Sequence, residues 1–134
     1  MKDQVIVKCA AAIIRDASLL LTRKRGTATF ISPGGKPLPG EGYIDCLVRE
    51  VREELGVDVR GQTFLGTFKG ISAFEKVPVE MHVYLTEIQG SPRPCAEIEE
   101  ILWFRSDNTT RTLEIGSVFS AGVIPLLLER KLIA

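Results

Sequence analysis

Apolar and polar positions change their period along the chain, and each change marks an element. Val5 to Ile14 is rich in β-branched and small apolar residues, which predicts a largely buried strand. Arg15-Asp16-Ala17-Ser18 predicts a hairpin turn, and Leu19 to Thr22 the returning strand, closed by Arg23, Lys24 and Arg25. Phe30-Ile31-Ser32 predicts a short extended piece. Pro33-Gly34-Gly35 predicts a tight turn, because glycine takes up conformations that other residues avoid. After a loop from Lys36 to Gly42, a helix is expected from Tyr43 or Ile44 to Leu55, with Gly56 just past its end. Within it Ile44, Leu47, Val48, Val51 and Leu55 recur at the spacing of one helical face.

Beyond the helix, Val57 to Val59 and Thr63 to Phe68 read as extended, and Ser72 to Lys76 as a loop or wide hairpin. Val79, Met81, Val83 and Leu85 alternate with Glu80, His82 and Tyr84, the pattern of a half-buried strand. Gln89-Gly90-Ser91-Pro92 is a turn. Ile98 to Phe104 reads as a strand and Ser106 to Thr112 as a polar loop. Val118 to Leu132 reads as a terminal helix with Ile124, Leu127, Leu128 and Leu132 inward. No internal repeat, low-complexity segment or linker interrupts the series. Strands mixed with two separated helices predict an α/β domain whose sheet is covered on both faces.

Composition narrows the picture. A length of 134 residues suits one domain, spanning 1–134, with a real core. Lys plus Arg is 17 and Asp plus Glu is 17, so the formal net charge is zero. That balance argues against a protein whose main task is to grip long nucleic acid. It leaves room for a nucleotide ligand, since a metal can carry the positive charge. Cys9, Cys46 and Cys95 form no C-x-x-C pair and are odd in number, so reduced thiols in a cytoplasmic protein are expected. The N-terminal apolar stretch is broken by Lys8 and followed by Arg15 and Asp16, unlike a signal peptide. No apolar run is long enough to span a bilayer, so no membrane partner is expected.

The charged residues of the predicted helix carry the chemistry. Glu50, Glu53 and Glu54 stand at i, i+3 and i+4, so three carboxylates crowd one patch. Like charges at that spacing destabilise a helix unless something neutralises them. A hard divalent cation does so, and Mg²⁺ takes oxygen ligands of this kind. At roughly 100° per residue the carboxylates adjoin the apolar arc, with Glu54 at its border. A metal site beside a Gly-rich loop points to phosphate chemistry.

Gly35, five residues, Glu41, seven residues, then Arg49-Glu50-Val51-Arg52-Glu53-Glu54-Leu55-Gly56-Val57 resembles the complete Nudix box, G-x5-E-x7-R-E-U-x-E-E-x-G-U with U a bulky aliphatic. No position departs from it, and the flanking strands resemble those of Nudix domains of the MutT-like kind. The resemblance implies an α/β/α sandwich around a mixed β-sheet. It also implies hydrolysis of a nucleoside diphosphate linked to another moiety. Glu50, Glu53 and Glu54 would hold Mg²⁺, or Mn²⁺, with the Gly35 carbonyl as a further ligand. Glu41 would support the site, and Arg49 would pair with a box carboxylate and orient it. A cation on the diphosphate lowers the charge that repels a nucleophile. A carboxylate, Glu50 or Glu53, would take the proton from the attacking water.

Other residues are candidates of a different grade. Arg23, Arg25 and Lys36 could meet phosphate oxygens, although a solvated strand end explains the basic run equally well. Phe30, with Phe74 and Trp103, could stack on a base, whereas aromatics at strand ends ordinarily belong to the core. Glu97, Glu99 and Glu100 precede or enter a strand. Glu99 and Glu100 point to opposite faces, and Glu100 is taken as the further metal ligand. Arg52 reads as a surface residue, His82 as a strand-surface residue and Cys46 as space-filling. Gly34-Gly35-Lys36 resembles the MutT-like enzymes that cleave nucleoside triphosphates to monophosphate and pyrophosphate. ADP-ribose, nucleotide sugars and dinucleoside polyphosphates are alternative substrates. Leu20-Leu21-Thr22 resembles the coenzyme A subgroup, but Lys24 stands where that subgroup has Arg. A non-catalytic nucleotide-sensing domain is the rival from another class, and such domains usually lose box carboxylates that are all present here. Pairing of two such domains into a homodimer is common in the family.

Overall fold

The first apolar run divides in two. In the structure, a computed structural model that describes residues 4–107 and 111–134, strand β1 spans Ile6–Ala12 and β2 only Ile14–Arg15. The expected single strand to Ile14 is thus broken, and the break carries the chain from one sheet into another. Asp16 and Ala17 take left-handed conformations, with φ of 51° and 58°. They turn the chain into β3, Ser18–Lys24. Pairing of Ile14 with Leu19 and of Arg15 with Ser18 leaves a two-residue turn, a geometry that matches the natural twist of strands.

Pro33-Gly34-Gly35 is not the tight turn expected. After β4, Thr29–Ile31, Gly34–Gly35 forms a short strand, β5, antiparallel to β1, with Cys9 opposite Gly35 and Ala10 opposite Gly34. The Ala11 N–H also donates to the Pro33 carbonyl at 2.8 Å. The approach is so close that a Cβ on Gly34 would sit 2.0 Å from the Cys9 carbonyl oxygen, and its φ of 145° is itself unfavourable for other residues. Backbone pairing therefore fixes the start of the box on the core strand.

The helix α1 runs Tyr43–Leu55 as expected, and Gly56 closes it in a left-handed conformation with its N–H on the Arg52 carbonyl. The two extended pieces after it are one strand, β6, Asp58–Ile71. It pairs antiparallel with β7, Pro78–Gln89, with register shifts between Val59 and Gly61 and between Phe64 and Gly66. Strand β8, Ile98–Phe104, is antiparallel to β3. A short β9, Glu114–Ile115, which sequence periodicity does not announce, lies parallel to β4. One sheet has the order β5-β1-β7-β6; the other runs β2-β3-β4-β9 with β8 also on β3. The polar loop expected from Ser106 to Thr112 lies partly outside the described residues.

Alternation along β1, β3 and β7 sorts the core into two layers. Ala10, Ala12, Leu19, Leu21 and Val83 pack with Phe119, Val123, Ile124 and Leu127 of the C-terminal helical segment. Ala11, Ile13, Leu20 and Tyr84 pack with Leu47, Val51 and Leu55 of α1. Both faces are covered, which is the α/β/α arrangement. Tyr84 is consequently buried, and β7 is covered on both sides there rather than half-buried as its alternation suggests. The terminal helix opens with a π-helical turn, Phe119–Val123, before α2, Ile124–Glu129. Pro125 near the start of α2 has no N–H to donate, which suits a junction where the regular ladder lapses. Leu128, expected inward, is 36% exposed, and Ile133 fills the core in its stead.

Candidate active site

Helix α1 is rolled toward its carboxylates. Ile44, placed on the apolar face by its spacing, is 45% exposed, whereas Glu54 is 3% exposed. At about 100° per residue, Glu54 lies about 20° from Leu47 on the side away from Val51. The buried arc thus runs from Cys46 through Glu54 and Leu47 to Leu55, and Val48 falls to its edge. Ile44 has the right angle but stands in the first turn of the helix. A charged residue at the centre of a packed face requires a partner, and Glu54 Oε1 accepts the Gly34 N–H at 3.0 Å. The box glycine pair and the box helix are joined by that bond.

Arg49 is the second joint. Its Nε and Nη2 donate to the two oxygens of Glu41 at 2.8 and 2.9 Å, a forked pairing that fixes both planes. Nη1 donates to Glu50 at 2.8 Å and, more loosely, to Glu53 at 3.4 Å. Nη2 also reaches the Lys36 carbonyl at 3.3 Å. Glu41 in turn accepts the Leu38 N–H. One guanidinium therefore ties the loop after β5 to the helix and sets the position of two box carboxylates. The Arg49 hydrogen bonds, followed by the Leu38 N–H, hold the Glu41 carboxyl down at about 2.

Glu50 and Glu54 behave oppositely. Burial pushes Glu54 up to about 8, against the pull of the Gly34 N–H, and the charges of Glu50 and Glu97 add to the rise. Burial also raises Glu50, although Arg49 opposes it. A Cβ on Gly35 would lie 2.8 Å from the Glu50 carboxyl, so the absent side chain is what lets Glu50 approach the loop. Glu53 is exposed. Among the described residues no three His, Cys, Asp or Glu side chains converge as a ready cation cluster. The donor chemistry nonetheless fits a hard divalent cation. Glu50, Glu53, Glu54 and the Gly35 carbonyl offer oxygen alone, and the charge of Glu50 opposes that of buried Glu54 even though Arg49 pairs with Glu50.

These groups open on a cavity of about 320 Å³ lined by Gly34, Gly35, Arg49, Glu50 and Glu54. Lys36 lines it too, as anticipated. Arg23 and Arg25 do not. Arg23 is held along the sheet by Glu100, Glu99 and the Thr27 carbonyl, and Arg25 by the Ala96 carbonyl. Alternation sends their neighbour Lys24 into the cavity instead. Glu100, taken as a further ligand, is clasped between Arg23 and Arg111. The acid of this group that lines the cavity is Glu97, just before β8, whose carboxylate lies 3.9 Å from the Lys24 ammonium. Phe30 is 2% exposed within the core and has no free face for a base. Phe74, in the β6–β7 loop, is 38% exposed, lines the cavity, and carries the Lys24 ammonium 5.5 Å from its ring centre. Lys8 and Glu75 also line it and had no sequence signal.

Three residues remain. The ring of His82 stacks on Tyr43 with centres 4.3 Å apart and meets Glu80 at 3.1 Å. Cys9 and Cys46 are buried free thiols facing each other beneath Gly35, whose carbonyl accepts the Cys46 thiol at 3.6 Å.

Comparison with known proteins agrees with the geometry. The NUDIX domain family model matches residues 6–126. A relative described as the NAD-capped RNA hydrolase NudC of Stutzerimonas stutzeri (strain A1501) is 30% identical over 122 residues, which is 90% of this chain and 43% of that protein. The chain thus spans less than half the length of that relative. The crystal structure of a MutT NUDIX hydrolase from Burkholderia pseudomallei superposes with a TM-score of 0.74 at 28% identity, covering 95% of this chain and 98% of that one. A crystal structure of a MutT protein from Methanosarcina mazei Go1, at 20% identity, shares the fold with a TM-score of 0.79 over 98% of this chain and 99% of that one. Nudix hydrolases generally use divalent metal ions. With an intact box anchored through Arg49 and Gly34, and a family match over most of its length, the chain belongs to the Nudix hydrolase family.

Proposed function

We propose that this domain hydrolyses a nucleoside diphosphate linked to another moiety, and that its substrate is a nucleoside triphosphate cleaved to monophosphate and pyrophosphate. The observation that carries the reading is the junction of Glu54 with Gly34 and of Arg49 with Glu41 and Glu50, which aims carboxylates into a cavity that lysines also enter. The likeness to a MutT NUDIX hydrolase along nearly the whole chain supports a hydrolase of the MutT-like kind, which the Gly34-Gly35-Lys36 start also resembles.

Glu50, Glu53 and Glu54, with the Gly35 carbonyl, would hold Mg²⁺ or Mn²⁺. Bound there, such a cation would supply neutralisation of the charge on the diphosphate oxygens. Glu50 serves as the base for the attacking water. Arg49 holds that carboxylate in register, and Glu41 holds Arg49.

The test is a panel of nucleoside triphosphates, ADP-ribose, nucleotide sugars, dinucleoside polyphosphates and NAD-linked RNA, each with Mg²⁺ and with Mn²⁺. The last belongs in the panel because a relative is named an NAD-capped RNA hydrolase. Release of pyrophosphate from a triphosphate is expected, and Glu53→Gln should abolish it in a folded protein. A panel with no turnover in either metal would favour a nucleotide-sensing role. Among the described residues no helix is long and apolar enough to cross a membrane.

A further inference from the structure

Lys8 has no part in the box, yet it enters the same cavity from β1. Its Nζ lies 3.3 Å from Oε1 of Glu75, while Lys36 Nζ lies 3.2 Å from Oε2. One carboxylate, delivered by the β6–β7 loop, thus gives one oxygen to each of two ammonium groups from different elements. Without an anion between them the two lysines would repel each other. Only about a third of the Glu75 side chain and a fifth of that of Lys8 is exposed, whereas Lys36 is more than half exposed.

Two oxygens of a phosphate group span two ammonium groups as two carboxylate oxygens do, and a phosphate brings more oxygens and more charge. A partly exposed carboxylate–lysine pair contributes little to stability, so Glu75 is readily displaced. The loop does not depend on it. Ser72 accepts the Lys76 N–H on its carbonyl and the Val77 N–H on its hydroxyl, and its own N–H reaches the Val77 carbonyl. These bonds close the hairpin base without using the Glu75 side chain.

We propose that Lys8 and Lys36 form a subsite for a phosphate of the substrate, and that Glu75 occupies this subsite until that phosphate displaces it. The inference rests on the pyrophosphohydrolase reading. It makes Glu75 a built-in competitor. Substrates that extend a phosphate to the lysines release it, and substrates without one leave it in place.

The experiment titrates metal-free protein with inorganic phosphate and follows the lysine side-chain methylene signals by NMR. Lys8 and Lys36 should shift together and saturably. Glu75→Gln should tighten phosphate binding about threefold, by removing a competitor of ion-pair strength. Lys8→Met should loosen it about tenfold, as expected for one charged hydrogen bond. Glu75→Asp, too short to reach both lysines, should act like Glu75→Gln and covers the case in which that variant does not fold. A folded Glu75 variant with unchanged or weaker phosphate affinity, or shifts confined to other lysines, would overturn the proposal. Because no reaction occurs, its failure is distinct from a nucleotide panel that shows no turnover.

Discussion

At the scale of single residues, what each group does is set by the atom it faces. Gly35 is the clearest case. Any Cβ there would come within 2.8 Å of the Glu50 carboxyl. Gly35→Ala should therefore displace Glu50 and lower kcat/KM by about tenfold or more, as loss of support for a metal site does, while thermal melting shows a folded protein. Arg49→Lys keeps the charge but loses the fork onto Glu41. It should cost about 10- to 100-fold in activity or metal affinity. Arg52→Lys, at an exposed pair with Asp58, should change neither; full activity in Arg49→Lys would show that charge, not the fork, matters. The identities of Gly35, Arg49 and the box carboxylates were legible in the sequence, since each sits at a fixed offset from the others. Lys8, Lys24 and Glu75 were not, and Phe74 and Glu97 were named only beside Phe30 and Glu100, because all five reach the cavity from segments distant from the box.

At the scale of elements, the pattern of apolar residues placed helix α1 between Tyr43 or Ile44 and Leu55, as found, but misjudged its rotation. Five apolar positions define a direction, and Glu54 pulls the buried centre to one side through the Gly34 N–H. The two ends of the face then differ. Leu47→Ala, at a fully buried site, should destabilise the domain by about 2–5 kcal/mol. Ile44→Ala, at an exposed one, should cost within about 0.5 kcal/mol. Chemical denaturation distinguishes these, and comparable losses would contradict the rolled helix. Strand ends failed for a related reason. Gly34–Gly35 looks like a turn by composition, but the Cys9 and Ala10 backbone opposite makes it a strand. The bulge between Arg23 and Lys24, which pairs Arg23 with Glu100 and Lys24 with Ile98, depends on the pairing of two distant strands.

At the scale of the whole molecule, burying carboxylates for a site leaves a mark on stability. The Glu54 carboxyl, with an ordinary value of 4.5, is raised to about 8 in the fold. Between those values the folded group holds a proton that the unfolded one has lost. Its contribution is complete below about 4.5 and is lost as pH rises through about 8. Metal-free protein should therefore lose on the order of a few kcal/mol over that range. Glu41 and Glu75, both held at about 2, act with the opposite sign and fail only in strong acid. Denaturation at a series of pH values in chelator should show the decline toward pH 8, and added Mg²⁺ or Mn²⁺ should reverse it. Glu54→Gln keeps an acceptor for the Gly34 N–H and should flatten the curve while abolishing the metal's effect. A decline that survives in that variant would assign it to other groups.

The sequence by itself determined the α/β layering, the limits of α1 and the identity of the box, because those depend on period and offset within short stretches. Only the tertiary structure decided which face of α1 is buried, which acid and which lysines share the cavity, and that Phe74 rather than Phe30 has a free ring. Those outcomes arise where two sheets, a helix and a loop meet. They follow from strand register and backbone approach between segments distant in sequence, which no local pattern encodes.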